Sequence, residues 1–150
     1  MKMNVEDFPQ YHTVYMRRTG AYGPENYRLM AQLKDWIKEN GLWNDETTIF
    51  GIAQDNSETI KPENCRYDVC LLVQEDFQAD GIQKGVIDGG KYAVFTVPHT
   101  SEAVQHFYTN VFAELSKAGH TLDASRPVLE RYINKMIEDG YCEFCVPIAG

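Results

Sequence analysis

The chain has no apolar run approaching the ~18 residues of a membrane helix, and no run of lysine or arginine. Its formal net charge is −8, from 14 basic and 22 acidic residues. An acidic surface repels phosphate backbones, so direct nucleic-acid binding is unexpected, and the lack of a long apolar run makes a helical bilayer span unexpected. Cysteine is sparse and scattered, at four residues in 150, which is compatible with a cytoplasmic protein. The first seven residues lack the apolar run of a secretion signal, so the cytoplasm is the expected location. His12, His99, His106 and His120 have no ligand spacing. There is no Gly-rich phosphate loop, no G-x-S-x-G elbow and no Walker sequence. Cys142-Glu143-Phe144-Cys145 has C-x-x-C spacing, but on a strand two positions three apart face opposite sides. No metal site and no cofactor are expected.

Hydrophobic residues make up 43% of the chain and aromatics 12%, which is the composition of a folded globule. Halves of roughly 60–70 residues would each be marginal alone. One domain over residues 1–150 with a shared sheet is therefore expected. A weak duplication runs through it, with internal repeats at about residues 11–74 and 90–149. Each repeat reads as strand, helix, strand, strand. In the first, residues 11–18 alternate as a strand. Pro24 suits a helix start. Leu29, Met30, Leu33, Trp36 and Ile37 repeat at helical spacing, and Gly41 stops the helix. Residues 48–54 and 65–74 read as the next two strands, and 82–87 as a short edge strand. In the second repeat, residues 91–98 form the strand and Thr100 caps the helix. Val104, Phe107, Tyr108, Val111, Phe112 and Leu115 form its apolar stripe. Residues 128–133 and 141–148 are the closing strands, with a loop over 134–140. The predicted class is α+β: two pseudo-symmetric strand–helix–hairpin repeats in a mainly antiparallel sheet, with two long helices on one face.

Aligned on the helix-ending Gly41 and Gly119, Ile52 of the first repeat falls on Glu130 of the second. A carboxylate where the other repeat carries isoleucine marks a candidate site, because burying an unpaired charge is costly. In the last strand, Cys142, Phe144, Val146 and Ile148 form an apolar row for the helix side, leaving Glu143 on the other face. Leu129 and Ile133 suit the helix side of the neighbouring strand, which would put Glu130 and Tyr132 with Glu143. Phe50 and Ile52 are the matching positions of the first repeat. A face of aromatics and carboxylates suits an apolar cation, which gains contact area, cation–π attraction and charge neutralisation. The same pattern also describes a solvated sheet face.

Three segments carry a family resemblance. They are Tyr15-Met16-Arg17-Arg18-Thr19-Gly20-Ala21-Tyr22-Gly23, then Gly89-Gly90-Lys91-Tyr92-Ala93-Val94-Phe95, then Arg126-Pro127-Val128-Leu129-Glu130-Arg131-Tyr132 followed by residues 143–148. In this order the chain resembles the GyrI-like small-molecule-binding domains, the effector-binding domains of bacterial transcription activators. The resemblance implies a ligand cleft between two repeats, with Glu130 at its centre and Glu143 where some members carry a second acid. Tyr132, Phe50, Ile52, Tyr67 and Tyr22 are expected to supply contact surface, although alternation puts Tyr67 on the helix side. The expected function is a stand-alone protein that binds amphipathic, cationic aromatic compounds for sensing or sequestration, without catalysis. Two alternatives stay open. One is a hydrolase of strained alkylating toxins that uses Glu130. The other is a modulator of DNA gyrase or of a transcription regulator through protein contact. The chain carries no helix-turn-helix segment.

Overall fold

A computed structural model describes residues 1–150. In chain order the elements are β1 (Lys2–Phe8), β2 (Tyr11–Thr19), α1 (Pro24–Glu39), β3 (Thr48–Ala53), β4 (Arg66–Val73) and β5 (Gln83–Ile87). They continue with β6 (Gly90–Pro98), α2 (Ser101–Lys117), β7 (Leu129–Ile133), α3 (Asn134–Glu138) and β8 (Tyr141–Pro147). The eight strands form one sheet in the order β1-β6-β8-β7-β3-β4-β2-β5, every neighbouring pair antiparallel. Leu29, Leu33 and Ile37 of α1 pack with Val14, Ile49, Val69 and Leu71. Phe107, Val111 and Leu115 of α2 pack with Ala93, Phe95, Phe144 and Val146. Both helices therefore cover the same face, and the predicted α+β architecture is the observed one.

Reading outward from the β3–β7 junction, the strands run β3, β4, β2 on one side and β7, β8, β6 on the other. This is two-fold pseudosymmetry. If β4 is laid on β8 so that Tyr67 meets Cys142, the registers make Gly51 the counterpart of Glu130. Gly51 and Glu130 are also direct partners across the junction. The pseudo-axis thus runs between these two residues. The alignment of Ile52 with Glu130 is corrected here, for a definite reason. The connection from Gly119 to Glu130 is one residue longer than that from Gly41 to Gly51, so matching the helices slips the strand by one. A slip of one residue turns every side chain to the opposite face.

The second face of the sheet is closed, not open. Six strand spacings separate β1 from β2, about 29 Å if the sheet were flat. Yet only Pro9 and Gln10 join them, and three residues reach at most ~11 Å. The sheet must therefore curl until its far strands meet. The roll encloses a second core of Phe8, Phe50, Ile52, Cys70, Tyr92, Val94, Leu129 and Cys145. The β5–β6 connection makes the same crossing. There a side chain on Gly89 would collide with the backbone of Phe8, Pro9 and Gln10, so glycine is required. Besides a 3-10 turn over Pro62–Asn64 in the loop before β4, two elements were not anticipated. β1 is an edge strand with few apolar residues and pairs only with β6. α3 is a five-residue helix within the expected loop.

Candidate functional site

The two helices leave a gap over the pseudo-axis, and the gap is a cleft of about 950 Å³. Drug-sized ligand sites span roughly 300–1,000 Å³. Ile49, Tyr67, Glu130, Tyr132 and Phe144 form its floor. Tyr27, Met30 and Lys34 of α1 form one wall, and Val104, Gln105 and Tyr108 of α2 the other. Trp43, His99 and Glu138 stand at its edges.

Glu130 is mostly buried on this floor. Its Oε1 accepts two hydrogen bonds, from the Tyr67 hydroxyl at 2.9 Å and the Tyr132 hydroxyl at 2.8 Å. No basic side chain lies within ion-pair distance of it. Burial therefore pushes the Glu130 carboxyl above the ordinary carboxylate range, while the two tyrosine bonds pull the other way. Burial, and then the charge of Glu130, raise both tyrosines, which remain protonated donors. Tyr108 on the α2 wall is raised for the same reasons.

The acid needs room on the axis, and Gly51 provides it. A β-carbon at Gly51 would collide with the Tyr67 hydroxyl and with Glu130 Oε1. Two-fold symmetry broken at its own axis is thus what admits a side chain to the centre of the floor. Gly51→Ala is expected to cost about 1–3 kcal/mol through overpacking. Urea denaturation checks this, and the penalty should shrink in a Tyr67→Phe background, where one of the two colliding oxygens is gone.

The structure divides the residues singled out from the sequence. Glu130, Tyr132 and Tyr67 come together, on the helix side. Glu143, Phe50 and Ile52 do not join them; they face the interior of the rolled sheet. Phe50 and Ile52 belong to its core. Glu143 accepts a 2.9 Å bond from Arg131 Nε, and Arg131 also reaches Glu6 at 3.4 Å. Asp68, the pseudo-symmetric counterpart of Glu143, is paired likewise with Arg17 at 2.6 and 2.8 Å. Both carboxylates are thus held in ion pairs on the side of the sheet away from the cleft. Tyr22 stands behind the floor: its ring meets Tyr67 edge-on at 6.4 Å, and its hydroxyl is tied to the backbone of Asp55 and Arg66. Cys142 and Cys145 fall on opposite faces, and burial pushes their thiols up to about 11 and about 12.

The helix walls were missed as site residues, although a signal existed. The apolar stripe of α2 is wider than one core contact needs. Only Phe107, Val111 and Leu115 are buried, whereas Tyr108 is 50% exposed and Phe112 61% exposed. Of this surplus, Tyr108 lines the cleft.

Fold and cleft together define a duplicated α+β ligand-binding module with an acid on its pseudo-axis. The profile of the GyrI-like small-molecule-binding domain matches residues 1–149, and the chain belongs to that family. It is 41% identical over 150 residues to YosT of Bacillus subtilis (strain 168), an SPbeta prophage-derived protein named as a candidate transcriptional regulator, with 99% of each chain covered. It is 27% identical over 148 residues to the DNA gyrase inhibitor of Pantoea sp. (strain At-9b), covering 93% of this chain and 92% of that one. Among solved structures, EcmrR in its DNA complex superposes with a TM-score of 0.72 at 15% identity, covering 98% of this chain and 57% of that one. SAV2435 bound to tetraphenylphosphonium superposes with a TM-score of 0.63 at 17% identity, covering 100% and 95%. At such identities the structural likeness concerns the fold. No helix is long and apolar enough to cross a membrane.

Proposed function

We propose that the protein binds amphipathic, cationic aromatic compounds in the cleft between its helices, for sensing or sequestration. One observation carries this reading. Glu130 is an acid without a cationic partner, on the floor of a cavity walled by tyrosines. An arriving cation supplies the missing charge, and aromatic rings supply contact area and cation–π attraction without demanding one ligand shape. The tetraphenylphosphonium bound by the structurally similar SAV2435 has this chemistry. The cytoplasm fits the reading. So does a protein partner whose contact the ligand controls, since relatives are named as gyrase inhibitor and transcriptional regulator.

Glu130→Gln should preserve the fold and weaken a phenyl-substituted phosphonium by ~1–3 kcal/mol, the range for charge-assisted contacts. A neutral aromatic of similar size should lose much less. Fluorescence titration of both compounds checks this, and equal losses would remove the electrostatic role. The hydrolase reading rests on the same raised carboxyl, which could serve as a general acid. Incubation with a strained electrophile separates the two: turnover supports catalysis, and stoichiometric protection supports binding.

A further inference from the structure

The floor of the cleft contains a charge problem that binding alone does not solve. Glu130 is mostly buried against tyrosines and apolar walls, and an ionised carboxylate there lacks a counter-ion until a ligand arrives. The groups facing it from every neighbouring element are known. Tyr67 comes from β4, Tyr132 from β7 and Tyr108 from α2. Cys142 comes from β8. Lys34 of α1, His99 and Glu138 line the same cleft outside ion-pair distance. No fixed cation therefore offsets a charge on Glu130. What the protein does provide is two hydroxyl donors, one from each repeat, both aimed at Oε1. Oε2 bonds no protein atom, so Oε1 is the anchored oxygen and Oε2 the one available to a proton or a ligand.

We propose that Tyr67 and Tyr132 determine the charge specificity of this cleft, and that a permanent organic cation enters in exchange for the proton Glu130 carries when the cleft is empty. The proposal rests on the reading of the cleft as a cation site. The step balances simply: the Oε2–H bond breaks, its proton goes to solvent, and the cation replaces it beside the carboxylate. The tyrosines act as positioning residues. Their bonds strengthen as Glu130 gains charge, so they lower the cost of giving up the proton. Without them Glu130 holds its proton to higher pH, and the site ceases to discriminate in favour of charge at neutral pH.

Calorimetric titration with tetraphenylphosphonium between about pH 5 and pH 8, in two buffers of different ionisation enthalpy, tests this. Wild-type affinity should rise up to about tenfold per pH unit on the acid limb and then level off, with up to one proton released per ligand on that limb. Glu130→Gln should give flat affinity and no proton release. The Tyr67→Phe/Tyr132→Phe double variant should move the limb to higher pH and bind about tenfold or more weakly at a pH on the wild-type limb. Each single variant should move it part of the way, which keeps the test intact if the double variant fails to fold. Wild-type affinity that is flat across the range, without proton release, overturns the exchange while leaving the cation site standing. A double variant with the wild-type limb overturns the role of the tyrosines. A wild-type protein that binds no phosphonium at any pH overturns the cation site and the exchange together.

Discussion

Glu143→Ala is expected to cost about 3–5 kcal/mol of folding stability while leaving phosphonium affinity of the folded protein unchanged. Glu143 is 8% exposed and Arg131 9%, and the two share a buried 2.9 Å bond. Removing the carboxylate leaves the Arg131 guanidinium enclosed, over the Phe8 ring at 5.2 Å. Only Glu6 remains to it, at 3.4 Å and more exposed. An uncompensated buried charge costs far more than a pair contributes. Replacing both members, as Arg131→Met/Glu143→Leu, should therefore recover most of the loss. Urea denaturation of the two variants, beside a phosphonium titration of Glu143→Ala, provides the check. Ligand affinity that falls as far as in Glu130→Gln would put Glu143 back among the binding residues.

That expectation depends on which sheet face each acid occupies, and there the sequence misleads. Alternation placed Cys142, Phe144 and Val146 correctly, because β8 is buried on both sides and its helix-facing row is uniformly apolar. In β7 one row is Leu129, Arg131 and Ile133, and the other is Glu130 and Tyr132. By apolar content the Leu129 row suits the helices, and the Glu130 row suits water. The opposite holds. Leu129 enters the core inside the roll, and Glu130 with Tyr132 faces the gap between the helices. At a binding site polar residues occupy the helix-covered face, where the pattern expects apolar ones, so the rule fails at the residues that matter most. The curl was hidden for a different reason. It follows from the two-residue link between β1 and β2, and β1 itself is too polar to read as a strand.

Much else was legible. The two helices, their glycine stops, the antiparallel pairing of the closing strands and the duplication all follow from periodicity and turn residues. Glu130 still stands out once the one-residue misalignment is corrected. Its true counterpart is Gly51, which has no side chain at all. An acid facing a glycine on a symmetry axis is a stronger mark of a site than an acid facing an isoleucine. A β-carbon at Gly51 would meet the Tyr67 hydroxyl and Glu130 Oε1, so the acid and its tyrosine bond occupy the space that the glycine leaves.

Phe107→Ala should destabilise the protein by about 3–5 kcal/mol, and Phe112→Ala by no more than ~0.5 kcal/mol. Both lie on the stripe of α2 that periodicity marks as core. Phe107 is 1% exposed. Its ring stacks on Phe144 at 4.3 Å with 14° between planes, and meets Phe95 and Tyr108 edge-on at 5.4 and 5.1 Å. Truncation opens a cavity under α2 that the close-packed sheet cannot refill. Phe112 is 61% exposed and leaves no such hole. The loss at Phe107 should also reach the ligand. Phe144 is part of the cleft floor and Tyr108 part of its wall, and the two rings meet edge-on at 5.4 Å. Both rest on Phe107, so folded Phe107→Ala protein should bind the phosphonium more weakly than folded Phe112→Ala protein. Urea denaturation of the two variants, followed by titration in denaturant-free buffer where both are folded, measures both effects. Equal destabilisation by the two would mean that α2 presents a different face to the sheet, and the cleft wall would have to be redrawn around it.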